Sequence, residues 1–80
     1  MGVKETVVKR FAEICESRNI RINELATRSG VTPSTVYSMF DDSRHDVSIV
    51  TIKKLCDGLD ISLKDFFDSE LFELLEQEIK

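Results

Sequence analysis

From Thr32 to Ser38 the chain reads T-P-S-T-V-Y-S, which sets five hydroxyl groups within seven residues. A Ser or Thr hydroxyl donates one hydrogen bond and accepts others, and a Tyr adds a flat ring to the same polar tip. Such groups recognise polar edges and anionic oxygens. They do not by themselves break bonds, because a nucleophilic hydroxyl needs a base held against it. The one histidine, His45, lies in a separate polar stretch with no evident nucleophile beside it and reads as a solvent-exposed side chain. There is no Gly-rich phosphate loop, and the carboxylates fall on faces expected to meet water. The chain is read as no enzyme, with no cofactor and no small-molecule substrate.

Metal binding is excluded by the same arithmetic. Cys15 and Cys56 lie 41 residues apart, each inside an apolar helical pattern. Zinc takes about four ligands, and two distant thiols with a lone His45 do not supply them. Two buried free thiols in a reducing compartment are expected instead.

The hydroxyl run is positioned by residues 22–40, I-N-E-L-A-T-R-S-G-V-T-P-S-T-V-Y-S-M-F, which reads as two short helices joined at Ser29-Gly30-Val31. Gly30 sits where such a turn needs positive φ. Thr32 and Pro33 open the second helix: the Thr hydroxyl is placed to accept from a first-turn N–H, and Pro gives up only an N–H that had no partner. Helix 2 is expected over 21–29, burying Leu25 and the small Ala26, which permits a close helix crossing. Helix 3 is expected over 33–41, burying Val36, Met39 and Phe40 and leaving Thr32, Ser34, Thr35, Tyr37 and Ser38 outside.

The flanking chain supplies the support. Val7, Val8, Phe11, Ile14 and Cys15 make an amphipathic stripe for helix 1 over 4–18, with Lys9, Arg10, Glu13, Glu16 and Arg18 on the solvent side and Asn19 as a left-handed end. Residues 41–47 are polar and unpatterned, so they form a loop. Ser48 caps helix 4 over 49–59, whose stripe is Ile49, Ile52, Leu55, Cys56 and Leu59, and Asp60 ends it. Ser62 with Asp65 three residues on resembles a capping box for a short helix 5, after which Phe66 and Phe67 close the core. The last segment, 69–80, carries Leu71, Phe72, Leu74, Leu75 and Ile79 among glutamates and reads as an amphipathic helix starting at Ser69. Its apolar residues either complete the core or meet a second copy.

Eighty residues make one domain with a limited core. No run of about 18 apolar residues spans a membrane, and the first residues lack the apolar stretch of a signal peptide. The net charge is −4, but residues 1–60 are neutral, with nine Lys/Arg against nine Asp/Glu, and the excess acid lies in 61–80. A neutral body can still present grouped cations on one face, and Arg21, Arg28 and Arg44 are the candidates, with Lys53 behind them.

The segments N-E-L-A-T-R-S-G-V-T-P-S-T-V-Y-S-M-F and S-I-V-T-I-K-K-L-C-D-G-L-D-I-S-L-K-D-F-F resemble the Cro/C1-type (XRE-family) helix–turn–helix of bacterial and phage regulators, a likeness covering roughly residues 4–68. The resemblance implies an all-α fold, a compact four- to five-helix bundle of the lambda-repressor-like type, here with an extra C-terminal amphipathic helix. It marks off a helix–turn–helix domain over 1–68, with the motif at 21–41; the tail lies outside the likeness, and its own excess of apolar residues makes 69–80 a possible dimerisation element. It implies a transcriptional regulator of the repressor type that binds double-stranded DNA as a homodimer in the bacterial cytoplasm, associated with the nucleoid when bound, with helix 3 in the major groove. Carried over by position, Thr32, Pro33, Ser34, Tyr37 and Ser38 face bases or adjacent phosphates, and Thr35 adds a fifth hydroxyl. Arg21 and Asn23, with Ile22, match the phosphate-abutting start of helix 2. Arg28, Arg44 and the rest of 43–45 match other backbone-contacting places. Leu71, Phe72, Leu74, Leu75 and Ile79 are the dimer candidates.

Two departures carry consequences. The family often has Gly and cations after helix 3, where this chain has Asp41-Asp42, and the outer face of helix 3 carries no Arg, Lys, Gln or Asn. Affinity must then come mainly from phosphates and from doubling the contacts in a dimer. The alternative is a protein-interaction module on the same fold, such as an antitoxin or accessory subunit using the acidic tail against a basic partner.

Overall fold

The computed structural model describes residues 2–44 and 46–79. Among these it contains five α-helices and one 3-10 helix: α1 (Val3–Ser17), α2 (Ile22–Ser29), α3 (Pro33–Met39), α4 (Ile49–Gly58), α5 (Leu63–Phe67), and a 3-10 turn over Glu70–Leu74. The radius of gyration is 12.1 Å, close to the roughly 12 Å expected of one folded domain of this length. No helix among the described residues is long and apolar enough to cross a membrane.

Three of the helices end in the same way. Asn19, Gly30 and Asp60 adopt positive φ, at 56°, 68° and 57°. Each lets the next residue turn back and donate to a carbonyl five residues earlier: Ile20 to Cys15 at 2.8 Å, Val31 to Ala26 at 3.2 Å and Ile61 to Cys56 at 3.0 Å. These bonds satisfy carbonyls that a helix end leaves open. They also return Ile20, Val31 and Ile61 to the edge of the core.

That core is Val7, Phe11, Ile14 and Cys15 from α1, Leu25 and Ala26 from α2, Val36 and Met39 from α3, Ile52, Leu55 and Cys56 from α4 with Leu59 after it, and Phe66 from α5. The expected stripes of α1 to α3 are in place, with Val8 and Phe40 at the rim. Ile49 departs from expectation. It lies on the line of the α4 stripe, but the first turn of α4 projects past the edge of the core and leaves Ile49 58% exposed, like Val50. The α2–α4 crossing is tight. A Cβ added to Gly58 would lie 2.1 Å from Ser29 Oγ and 2.9 Å from Ser29 N. Ala26 and Gly58 together let these helices approach.

Two cations of α1, and Arg18 just past its end, finish other helices. Lys4 Nζ donates to Asp41 O at 2.7 Å, just past α3; Arg10 donates to Phe66 O at 2.8 Å and Asp65 O at 3.0 Å in α5; Arg18 donates to Leu59 O at the end of α4. Positive charge belongs at the negative end of a helix dipole. Arg10 and Arg18, expected on a solvent face, are structural.

The tail differs most from expectation. Ser69 caps it as expected, accepting from Leu71 N at 3.3 Å, but the turn stops at Leu74 and Leu75 is already extended, with ψ 139°. Two causes are visible. Glu76 and Glu78 would stand at the negative end of a continued helix, with Lys80 alone to offset them. The segment is also drawn along α1: Phe72 stacks 4.9 Å from Phe67 and 6.0 Å from Phe66, and Glu78 Oε2 accepts from Val3 N at 3.4 Å. Tertiary contacts override the helical periodicity of 69–80.

Candidate nucleic-acid interface

The exposed hydroxyls stand on the leading end of α3, which is held from behind by Val36 and Met39. Thr32 begins the helix through its backbone, accepting from Thr35 N at 3.0 Å. Its side chain does not make the expected bond to a backbone N–H. Thr32 Oγ1 instead lies 3.0 Å from both Ser34 Oγ and Thr35 Oγ1. The hydroxyls thereby form a connected cluster, and the first-turn N–H of Ser34 is left without a side-chain cap. Pro33 occupies the first helical position, as expected.

Further along the helix, Tyr37 is 53% exposed and its hydroxyl donates to Asn23 Oδ1 at 3.0 Å. The bond joins the first turn of α2 to the face of α3. Both residues border a shallow groove floored by Cys15, Ile20, Ile22 and Phe40, which gives the phenol ring an apolar seat. Arg21 lies on the same rim and makes no ion pair among the described residues. The start of α2 carries no side-chain cap, so its first backbone N–H groups are open beside Asn23 and Arg21.

Ser38, half-buried, shares a second groove with Thr35, Arg44, Asp46 and Ser48. Arg44 is thus brought to the flank of α3. The loop leading to it is fixed by Asp41, whose carboxylate accepts from Ser43 N at 2.9 Å and Ser43 Oγ at 2.8 Å. Those bonds, with a smaller contribution from the Arg44 and Lys4 charges, hold its carboxyl below the usual range. Arg28, on the last turn of α2, stands apart from this cluster and pairs with Glu24 at 3.0 Å. Both partners are about half exposed, so the pair is weak and yields to a stronger anion. Lys53 is likewise tied to Asp57. His45 lies outside the described residues.

The proposed dimer residues separate into two groups. Leu71, Phe72 and Leu75 are half-buried against their own chain, while Leu74 and Ile79 are 71% and 89% exposed. The thiols of Cys15 and Cys56 are buried and unbridged, as expected. No group of three or more His, Cys, Asp or Glu among the described residues could hold a metal. Reading the sequence missed the α1 cations that reach across the molecule and the Asn23–Tyr37 bond. Neither has a periodic signal, since each depends on how helices cross.

Two short helices at a left-handed glycine turn, the second displaying its polar face, define a helix–turn–helix module. Residues 10–70 match the family model of the Cro/C1-type HTH DNA-binding domain. Among solved structures the chain is similar to the crystal structure of the prophage Lp1 protein 11, at 38% identity and a TM-score of 0.78, covering 86% of this chain and 92% of that one. No curated protein matches it. The chain belongs to the Cro/C1-type helix–turn–helix DNA-binding domain family, and its function is DNA binding in transcription regulation.

Proposed function

We propose that the chain is a dimeric, sequence-specific repressor that places α3 in the major groove, with no bond-making chemistry of its own. The observation that carries this reading is the grouping around α3. Thr32, Pro33, Ser34, Thr35 and Tyr37 are exposed on it, with the open start of α2 at Arg21 and Asn23 to one side and Arg44 to the other. Hydroxyls reach base edges and sugar–phosphate oxygens, while arginines and free helix N–H groups hold phosphates on both flanks. Ser38 supports the cluster, and Arg28 joins by exchanging Glu24 for a phosphate. A second copy doubles these contacts on half-sites about 34–36 Å apart or a multiple of that. Exposed Leu74 and Ile79 supply the edge through which the copies meet, continued by Leu71, Phe72 and Leu75. Such a protein works in the bacterial cytoplasm, at the nucleoid when bound.

Selection of bound sequences from a randomised duplex pool tests this reading. Paired half-sites are expected, and their spacing should be lost in the double variant Leu74→Glu, Ile79→Glu while the monomer stays folded. A folded dimer that enriches nothing from the pool would sink it. A second reading, a partner-binding module, is favoured by one observation: Leu74 stands exposed next to the exposed Glu73. Co-purification with a basic protein through the tail, without enrichment of DNA, is its signature.

A further inference from the structure

We infer that the hydrogen bond from Tyr37 to Asn23 sets the polarity with which Tyr37 reads a base, making Tyr37 an acceptor and Asn23 its positioning residue. The inference rests on α3 entering the major groove. A phenol has one proton. That proton is committed to Asn23 Oδ1 at 3.0 Å, so the Tyr37 oxygen has only lone pairs left for DNA. The Asn23 amide, with its oxygen occupied, keeps both N–H donors, beside Arg21 and the open first turn of α2. One bond thus sorts the chemistry: donors at the start of α2, where phosphates lie, and an acceptor on α3, where base edges lie.

The consequence is a base preference set by a residue that need not touch a base. In the major groove adenine N6 and cytosine N4 donate, whereas thymine O4 and guanine O6 accept. An acceptor-only phenol selects an amino edge on the contacted strand. The preference for A or C over T or G should be about two- to tenfold, the range of one neutral hydrogen bond. A phenol freed from Asn23 donates as readily as it accepts and loses the distinction.

Substitutions at Asn23 separate the parts. Asn23→Asp keeps an acceptor for the phenol but loses the amide donors and adds negative charge. It should bind DNA more weakly with the same base preference. Asn23→Ala loses the same donors without the added charge, so it should bind less tightly than the wild type and more tightly than Asn23→Asp, and lose the preference at the one position per half-site where Tyr37→Phe also erases it. Tyr37 is the only Tyr and the chain has no Trp, so the tyrosine doublet of the Raman spectrum reports this phenol alone. In the DNA-free protein its intensity ratio should show a donating phenol in the wild type and in Asn23→Asp, and a shift in Asn23→Ala. An unchanged doublet in Asn23→Ala would overturn the inference, as would an unchanged base preference there or a wild-type preference for T or G at that position. A doublet that behaves as stated, with no sequence enriched by the folded wild type, would instead remove the DNA-reading mode and with it the base assignment.

Discussion

Lys4 and Arg10 on α1, and Arg18 just past its end, reach carbonyls at or near the ends of three other helices. This explains how a body of zero net charge is arranged: part of its positive charge is structural, and the part near α3 is left to Arg21 and Arg44. Arg10→Ala removes two charge-assisted hydrogen bonds to α5. Because Arg10 is partly exposed, the loss should be about 1–2 kcal/mol in denaturant unfolding, with little effect on DNA affinity. The thiols give a pH signature. Burial, reinforced by the charge of Asp57, pushes Cys56 from 9.0 up to about 11, and burial raises Cys15 in the same direction. A thiol that ionises later folded than unfolded stabilises the fold fully below pH 9 and less as pH rises towards 11. Unfolding midpoints should therefore fall across that window, and more shallowly in Cys56→Ala, which is weaker at every pH through lost packing. At this scale the sequence was legible where a residue acts locally, as with Gly30, Asn19 and the buried cysteines. It was not legible where a side chain crosses to another helix, as with Arg10 or the Tyr37 phenol.

The start of each helix shows what local chemistry decides and where it stops. Ser48 accepts from Val50 N at 3.1 Å and Ser62 from Asp65 N at 3.0 Å, both side-chain caps. Thr32 holds the same position on α3 but gives its hydroxyl to Ser34 and Thr35. Ser62→Ala and Ser48→Ala should each lower stability by about 1 kcal/mol, and Thr32→Ala by less than about 0.5 kcal/mol. Chemical denaturation of the three variants checks the contrast; equal losses would restore an ordinary cap to Thr32. The five helices were readable because periodicity and end signals agree in each. The tail was not, because its apolar spacing fits a helix while its acidic end and the ring cluster of Phe66, Phe67 and Phe72 favour a short turn laid along α1.

At the scale of the molecule, the excess acid and the hydroxyl face of α3 are segregated. The tail carries the excess negative charge and packs along α1, whereas the hydroxyl face of α3 is displayed beside the first turn of α2. The central claim is that this face meets DNA, and that affinity comes from phosphates around an uncharged reading helix. Titration of a selected duplex at several salt concentrations, with wild type and Ser34→Glu side by side, tests it most directly. Three arginines per protomer in a dimer imply a slope of log K against log salt of about −5. Glutamate in the first turn of α3 suits the helix dipole, so Ser34→Glu should fold as well as the wild type by circular dichroism yet lose binding at every salt concentration. Binding by Ser34→Glu equal to that of the wild type, or a wild-type affinity indifferent to salt, would contradict the account.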